Sequence, residues 1–409
     1  MMKKALFIIS LKYPLINALN IKVNEIKNKK ADIILDDNQK DILELAERLD
    51  RLNIFDNIYV VKANEFDGIK KYIKKQSRMN LSRAIENTVV NGINRVFLKF
   101  NKKKYVNRLL IRGSNIDFNA YDEVYVCSET NASFACSNVL YSNNQIDSVN
   151  LLEEGIRDYC EDDIIRLYSK YYGEKCKILV HLYEKNLVVY NTCIFNTEFR
   201  SIPKINIEDE YFKSIVNYVF KYEDDKCCWD NRLIFFEQVS EPMPKYLENI
   251  TNFQKIMLHN AYRKHLKEHK KFEDKCKVVN ELIAYIKKRN RISDFFIKLH
   301  PRTIRGVQDE WLDYVLGDKD NQNNIPWEVY CINNSYRNNI WFTGWSSLLI
   351  NRIICFNNVS NVKLVIMYNC FDQSAKISSN IRKFYEKAAK QYCDNVVLLK
   401  NFEDINRVI

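Results

Sequence analysis

Glycine is scarce. Eight occur in 409 residues, at Gly68, Gly92, Gly113, Gly155, Gly173, Gly306, Gly317 and Gly344, and no two lie within ten residues of each other. A Walker A loop and a GxGxxG dinucleotide turn both need closely spaced glycines, because backbone must approach phosphate with no Cβ in the way. Both are absent, so a phosphate site here must be built from side chains and a helix N-terminus. The twelve cysteines form no CxxC, and their only close pair is Cys227-Cys228. That spacing excludes zinc fingers, zinc ribbons and thioredoxin-type redox sites. No run of 18 apolar residues appears, so no transmembrane helix is expected. The seven-residue run Ala5–Leu11 stops at Lys12 without a cleavage pattern and reads as a first strand rather than a signal peptide. The chain is expected to be cytoplasmic, with reduced thiols.

What is present suits a folded protein of two or three domains, 46% hydrophobic and 28% charged. The net charge of +11 suits phosphate-bearing ligands, acidic polymers or an anionic membrane face. The basic residues are dispersed among 52 acids and no nucleic-acid reading module appears, so nucleic acid is not expected as a partner.

Short apolar runs alternate with amphipathic ones. Strands are expected at Ala5–Ser10, Ala31–Leu35, Asn57–Val61, Tyr121–Cys127 and Ser148–Leu152. Helices are expected from Pro14 to about Lys27, over Gln39–Leu52, beyond Lys62 through Lys70–Lys75, and over Ser133–Tyr141. Ile178–His181 and Leu187–Tyr190 read as extended segments around a turn. A charged stretch, Glu223–Asn231, reads as the linker. Then come strands at Leu233–Glu237, Phe295–Leu299, Glu328–Cys331, Ile340–Thr343, Ile353–Phe356, Lys363–Tyr368 and Val396–Leu399. Helices are expected within Tyr246–Lys288, from Ser346, and over Ile377–Tyr392. This alternation predicts βα units and parallel sheets. The expected domains are 1–225 and 226–409, each Rossmann-like. Two such domains without a dinucleotide fingerprint suggest the GT-B plan, α/β with two parallel sheets facing a central cleft. Ligands of such sheets bind beyond the carboxyl ends of the strands, so strand-terminal polar residues are the ones to interrogate.

Four constellations stand there. Glu153-Glu154-Gly155, with Tyr159 four residues later, puts paired carboxylates at a strand end before a sharp turn, as a general base needs. A glutamate-rich first helical turn would look the same. In Lys298-Leu299-His300-Pro301-Arg302, alternation sets Lys298 and His300 on one side, and Pro301 ends the ladder beside the imidazole. A histidine merely bonded to a carbonyl is the alternative. Glu328, in Pro326-Trp327-Glu328, could accept two ribose hydroxyls or be a solvated edge residue. Thr343-Gly344-Trp345-Ser346-Ser347 opens an apolar helix with two serines, where N–H groups, dipole and hydroxyls can hold an anion, or Ser346 can simply cap. His265-Leu266-Lys267-Glu268-His269 matches an inverted zinc-protease pattern, but Lys264, Lys267, Lys270 and Lys271 crowd the same turns and disfavour a dication. No metal site is expected. A basic solvated helix, suited to acidic lipid or glycan, is the reading preferred.

Taken in order, Glu153-Glu154-Gly155, Lys298-x-His300-Pro301, Pro326-x-Glu328 and Ser346-Ser347 resemble the bacterial GT-B sialyltransferases, in particular the lipooligosaccharide sialyltransferases of glycosyltransferase family 52 and the related capsular polysialyltransferases. The resemblance spans Glu153 to Ser347. It implies an inverting, metal-independent transfer of sialic acid from CMP-sialic acid to a glycan hydroxyl, with no cofactor. Glu154 would then be the general base, with Glu153 and Gly155 supporting it. His300 would act on the departing phosphate as acid or donor. Lys298, Pro301, Glu328, Ser346 and Ser347 would line the CMP site, with Arg302 and Gly344 supporting. The partners implied are a CMP-sugar donor and a lipooligosaccharide or capsular acceptor, with peripheral contact to an anionic inner membrane and a homodimer both compatible. This chain has Glu-Glu where many relatives have Asp-Asp, and Trp345 precedes its serines. Glu237 and Glu241 are the other candidates for the base. Transfer of another CMP-activated nonulosonic acid or of Kdo would use the same cytidine cluster, and a non-catalytic glycan- or nucleotide-binding protein is the alternative of another class.

Overall fold

The computed structural model describes residues 4–37, 41–62, 107, 110–127, 149–155, 159, 186–190, 200–223, 229–238, 259–300, 309–316, 325–357, 362–372 and 377–409. The chain divides into two compact units, Met1–Glu223 and Asp224–Ile409. Both are α/β, and each is built on a sheet dominated by parallel pairing.

In the first unit, β1 (Lys4–Ile9) leads into α1 (Lys12–Asn20), which runs on as a π-helical turn over Ile21–Glu25. Pro14 sits in the first turn of α1, where its missing N–H costs nothing. β2 (Ala31–Asp36), α2 (Ile42–Arg51) and β3 (Asn57–Val61) follow. All six residues of β2 are buried, as a strand covered on both faces requires. Ile42, Leu45, Ala46 and Leu49 form the buried side of α2. Then come β4 (Leu110–Arg112), β5 (Tyr121–Val126), β6 (Val149–Leu152), β7 (Leu187–Val189), β8 (Arg200–Ser201) and α3 (Glu210–Phe220). Arg48 of α2 donates through Nε to the Val219 carbonyl of α3 at 2.6 Å.

The strand order is β4-β3-β2-β1-β5-β6-β7-β8, parallel throughout except for β4 at the edge. β2 and β5 flank β1, so the order reverses between β1 and β5. Leu187–Val189 is extended, as expected. It pairs in parallel with both β6 and β8.

The second unit contains β9 (Leu233–Phe236), α4 (His259–Lys288), β10 (Phe295–Lys298), α5 (Trp327–Asn333), β11 (Ile340–Thr343), α6 (Ser347–Cys355), β12 (Lys363–Ile366), α7 (Ser379–Gln391) and β13 (Val396–Leu398). Its order is β10-β9-β11-β12-β13, all parallel, which is the doubly wound 2-1-3-4-5 arrangement with its switch point between β9 and β11. Its core gathers Leu233 and Phe235 of β9, Val279, Leu282 and Ile286 of α4, Phe342 of β11 and Trp311. An aromatic group, Trp229, Phe236, Trp327, Tyr336 and Trp341, packs separately, with ring centroids 5.1–6.0 Å apart.

Two expected strands are helices. Glu328–Cys331 lies in α5, which starts directly after Pro326 and buries Trp327, Val329, Tyr330, Cys331 and Ile332. A short run buried on every side carries no period, so burial in a strand and in a helix look alike. Ile353–Cys355 belongs to α6, where the buried side chains of Ile353 and Ile354 override their preference for strands, and Phe356 follows the helix. The helices expected beyond Lys62 and over Ser133–Tyr141, the segment Ile178–His181 and the start of the Tyr246–Lys288 stretch lie outside the described residues.

Gly113, just after β4, has φ +96°, and a Cβ there would lie 2.5 Å from Cδ1 of Tyr59 in β3. Strain in the backbone and the ring clash add, so Gly113→Ala is expected to cost about 2 kcal/mol or more, read as a lower midpoint in urea unfolding.

Candidate functional site

The first unit's site residues follow β6. Glu153 is fully buried, and both oxygens of its carboxylate accept hydrogen bonds. Tyr13 Oη donates to Oε1 at 3.0 Å, the Tyr190 N–H donates to Oε2 at 3.0 Å, and the Tyr159 hydroxyl also donates to Oε2. The Glu153 carbonyl accepts from Asn17 Nδ2 at 3.0 Å, and Asn17 Oδ1 accepts from Tyr190 Oη at 2.8 Å. Asn20 ties the same helix to the Pro203 carbonyl at 2.6 Å. Preorganised dipoles thus replace water around a buried charge.

Glu154 is half-buried, and its charge adds to the effect of burial in pushing the Cys127 thiol well above its ordinary range. Cys127 follows β5 at the first sheet's reversal point and accepts the Ser10 N–H on Sγ at 3.2 Å. Gly155 has φ +147°, the conformation that favours glycine at the turn. The sequence left the two glutamates equivalent. The structure separates them, with Glu153 tied inward and Glu154 toward the surface. Tyr13 and Tyr190, which do much of the separating, belong to no motif.

In the second unit, three neighbouring strands end together. β9 runs into Glu237-Gln238, β10 into Leu299-His300, and β11 into Gly344-Trp345-Ser346. Parallel register aligns Phe236 with Lys298 and with Thr343. Lys298 is buried, and His300, two residues on, is half-buried. The His300 N–H donates to Glu237 Oε2 at 3.0 Å, while the Glu237 N–H donates to the Lys298 carbonyl at 3.0 Å. Glu237, a candidate base on sequence, is fully buried and ion-paired to Lys275 of α4.

Glu328 is buried in α5, and Asn351 Nδ2 of α6 donates to its Oε1 at 3.1 Å. Burial pushes the Glu328 carboxyl up, opposed by its own backbone N–H, Asn351 and Lys298. Burial pushes the Lys298 amine down to about 8, with the Glu328 charge opposing. The two residues, thirty positions apart in sequence, therefore share one electrostatic environment.

Thr343 organises the turn that opens α6. Its Oγ1 donates to the Phe236 carbonyl at 3.1 Å and accepts the Ser346 N–H at 3.0 Å and the Gln238 amide. Gln238 also donates to the Phe236 carbonyl at 3.0 Å, and Tyr385 Oη of α7 donates to the Ser346 carbonyl at 3.1 Å. Trp345 packs edge-on against Phe371, with ring centroids 5.2 Å apart. Ser347 is the first residue of α6. Pro301, Arg302 and Glu241 lie outside the described residues.

The carboxyl ends of the neighbouring strands β10, β9 and β11 thus carry Lys298 and His300, then Glu237 and Gln238, then Ser346 at the start of α6, and Glu328 shares the electrostatic environment of Lys298. A cation, an imidazole and a helix N-terminus along one edge of a sheet are groups that receive a phosphate, and a carboxylate can accept from a diol. Gln238, Lys275, Thr343, Asn351 and Tyr385 complete the arrangement, and of these only Thr343 stood in a motif, with no role given to it. The one available signal was position, since Gln238 and Thr343 are the polar residues at the ends of two apolar runs. Among the described residues, no group of three or more His, Cys, Asp or Glu side chains is placed to hold a metal ion, and His269 of the HxxEH sequence stands 3.5 Å from Glu273.

The sequence matches no protein-family model and no curated protein. Its folded chain is similar to S. aureus MnaA in a co-structure with UDP, at 14% identity and TM-score 0.42, covering 96% of this chain and 88% of that one. It is also similar to the UDP-GlcNAc 2-epimerase of Neisseria meningitidis bound to UDP-GlcNAc, at 10% identity and TM-score 0.41, covering 99% and 98%. A third is the MurG of Acinetobacter baumannii, at 9% identity and TM-score 0.36, covering 97% and 86%. Likeness at this level bears on neither activity nor substrate.

Gly344 sits at the centre of the strand-end cluster. A Cβ there would lie 2.9 Å from Gln238 Oε1 and 3.1 Å from two ring atoms of Phe371. Gln238 is anchored to Phe236 and Thr343 and cannot swing away cheaply. Gly344→Ala is therefore expected to cost about 1–3 kcal/mol in thermal or denaturant unfolding, as overpacking does.

Proposed function

We propose that this chain is a glycosyltransferase that takes an activated sugar from a cytidine nucleotide and passes it to a glycan hydroxyl, with CMP-sialic acid as the donor. The observation that carries the reading is the placement of Lys298, His300 and Ser346 at the carboxyl ends of neighbouring parallel strands, the edge at which open α/β sheets bind their ligands, with Glu328 sharing the environment of Lys298. The order of these residues along the chain, with Glu153-Glu154-Gly155 before them, is the order the sialyltransferase resemblance requires.

In this reading, the backbone at the start of α6 and the hydroxyls of Ser346 and Ser347 hold the phosphate. Lys298 supplies positive charge, and Glu328 accepts from the ribose hydroxyls. His300 donates to the phosphate oxygen as it leaves. Displacement at the anomeric carbon passes through an oxocarbenium-like transition state, so charge on the leaving phosphate must be neutralised as it develops. CMP is a good leaving group, and the chemistry needs neither a covalent nucleophile nor a cofactor. Glu154 takes the proton of the acceptor hydroxyl, whose oxygen bonds to the anomeric carbon on the face opposite the breaking bond to CMP, so the centre is inverted. Glu153 and Glu237 are poorly suited to that task, since each is buried and engaged by fixed donors.

Calorimetric titration of CMP into the full-length protein, with and without EDTA, tests the nucleotide site. Binding is expected to survive EDTA and to weaken about 10- to 100-fold in His300→Ala, the loss typical of a hydrogen bond to a charged group. Lys298 loses its proton as pH rises through about 8, so affinity for the anion is expected to fall there and the slope to flatten in Lys298→Met. Binding of UDP in place of CMP would overturn the cytidine assignment while leaving a nucleotide-sugar transferase.

Glu154→Gln is expected to lower turnover by about 10²- to 10⁴-fold with CMP affinity unchanged, the range of general-base catalysis. Near-normal turnover in a donor and acceptor screen would remove Glu154 from that role.

A further inference from the structure

Lys275 has no part in the reading above, yet it is the most deeply buried lysine of the second unit's described residues. Its ammonium is 2% exposed and is paired to the Glu237 carboxylate, which is 0% exposed. The rings of Phe272 and Trp311 lie 5.2 and 5.8 Å from it, and Trp311 Nε1 donates to Asn280 Oδ1 of the same helix at 2.8 Å. An ion pair taken this far out of water gains little over a well-packed apolar pair of the same size. Stability alone therefore gives a weak reason for its presence.

The geometry around the carboxylate offers a better one. Glu237 Oε1 takes the lysine, and Oε2 takes the N–H of His300 at 3.0 Å. The Glu237 N–H donates to the Lys298 carbonyl at 3.0 Å, two residues earlier on the same strand end. One glutamate thus grips both sides of the Lys298-Leu299-His300 tripeptide where the β-ladder stops, and Lys275 fixes the direction in which that glutamate points.

We propose that Lys275 and Glu237 are positioning residues for His300. The pair holds the Glu237 carboxylate as the acceptor of the His300 N–H just beyond the last ladder bond, and this sets where the imidazole stands at the end of β10. Neither residue touches the nucleotide. The affinity arm of the test rests on the function proposed above, and the spectroscopic arm does not.

The test compares Glu237→Gln, Lys275→Met and the double variant in the full-length protein, each with His300 present and in the His300→Ala background. The double variant removes both charges together and leaves neither buried alone, so it folds where a single variant fails. With His300 present, CMP affinity is expected to fall about tenfold. In the His300→Ala background the same changes are expected to cost less than about twofold, because residues acting through one partner are not additive. The His300 imidazole resonance, assigned by its loss in His300→Ala, is expected to shift together with its titration midpoint. The resonances of the other four histidines should stay in place.

Equal affinity losses in both backgrounds would overturn the proposal, as would an unmoved His300 resonance in a folded variant. Failure of even the double variant to fold would make the pair structural and overturn it as well. A wild type that binds no CMP would defeat the cytidine reading, and the imidazole resonance would still decide the role of Lys275 and Glu237.

Discussion

A parallel sheet must stop somewhere, and where it stops its N–H groups lose their acceptors. Both units meet that constraint in the same way. The residue after a strand is a glutamate whose N–H donates to a carbonyl on the neighbouring strand, while its carboxylate accepts the N–H two residues further along that neighbour. In the first unit this is Glu153, with the Val188 carbonyl and the Tyr190 N–H. In the second it is Glu237, with the Lys298 carbonyl and the His300 N–H. A side chain continues the ladder for one more rung after the backbone has left it. The rest of each strand-end cluster hangs from that rung, Glu154 on the first and His300 on the second.

The two rungs carry the same charge in different ways. Glu153 is solvated by hydroxyls from Tyr13 and Tyr159 and by one backbone N–H, so its surroundings are dipolar. Glu237 has a full counter-charge in Lys275. Dipoles stabilise a carboxylate while leaving its negative charge in the field around it, whereas an ammonium cancels most of that charge.

Much of the fold was legible because its strands are short apolar runs with polar ends. Asn57–Val61 and Ile340–Thr343 coincide with their expected limits, and Lys298 and His300 were found by alternation at a strand end. The reading failed where burial is complete. Glu328–Cys331 and Ile353–Phe356 are buried throughout and show no period, and the expected strands there fall in α5 and at the end of α6. The site was legible where neighbours in sequence are neighbours in space. Lys275, Asn351 and Tyr385 reach it from helices whose own patterns concern packing, so nothing local marks them. Thr343 looks like an ordinary strand end and Gln238 like an ordinary loop residue until the register of β9 and β11 is known.

The first sheet's own crevice is already occupied by its chain. Between β1 and β5, where a Rossmann sheet ordinarily receives a diphosphate, the Ser10 N–H at the turn into α1 is spent on the Cys127 sulfur. Burial keeps that thiol protonated, so the turn is stoppered by an uncharged, polarisable plug. A phosphate arriving there would have to evict a sulfur and take its place beside Glu154, against like charge. A single methylene-thiol group fills the place where such a turn would otherwise offer its N–H.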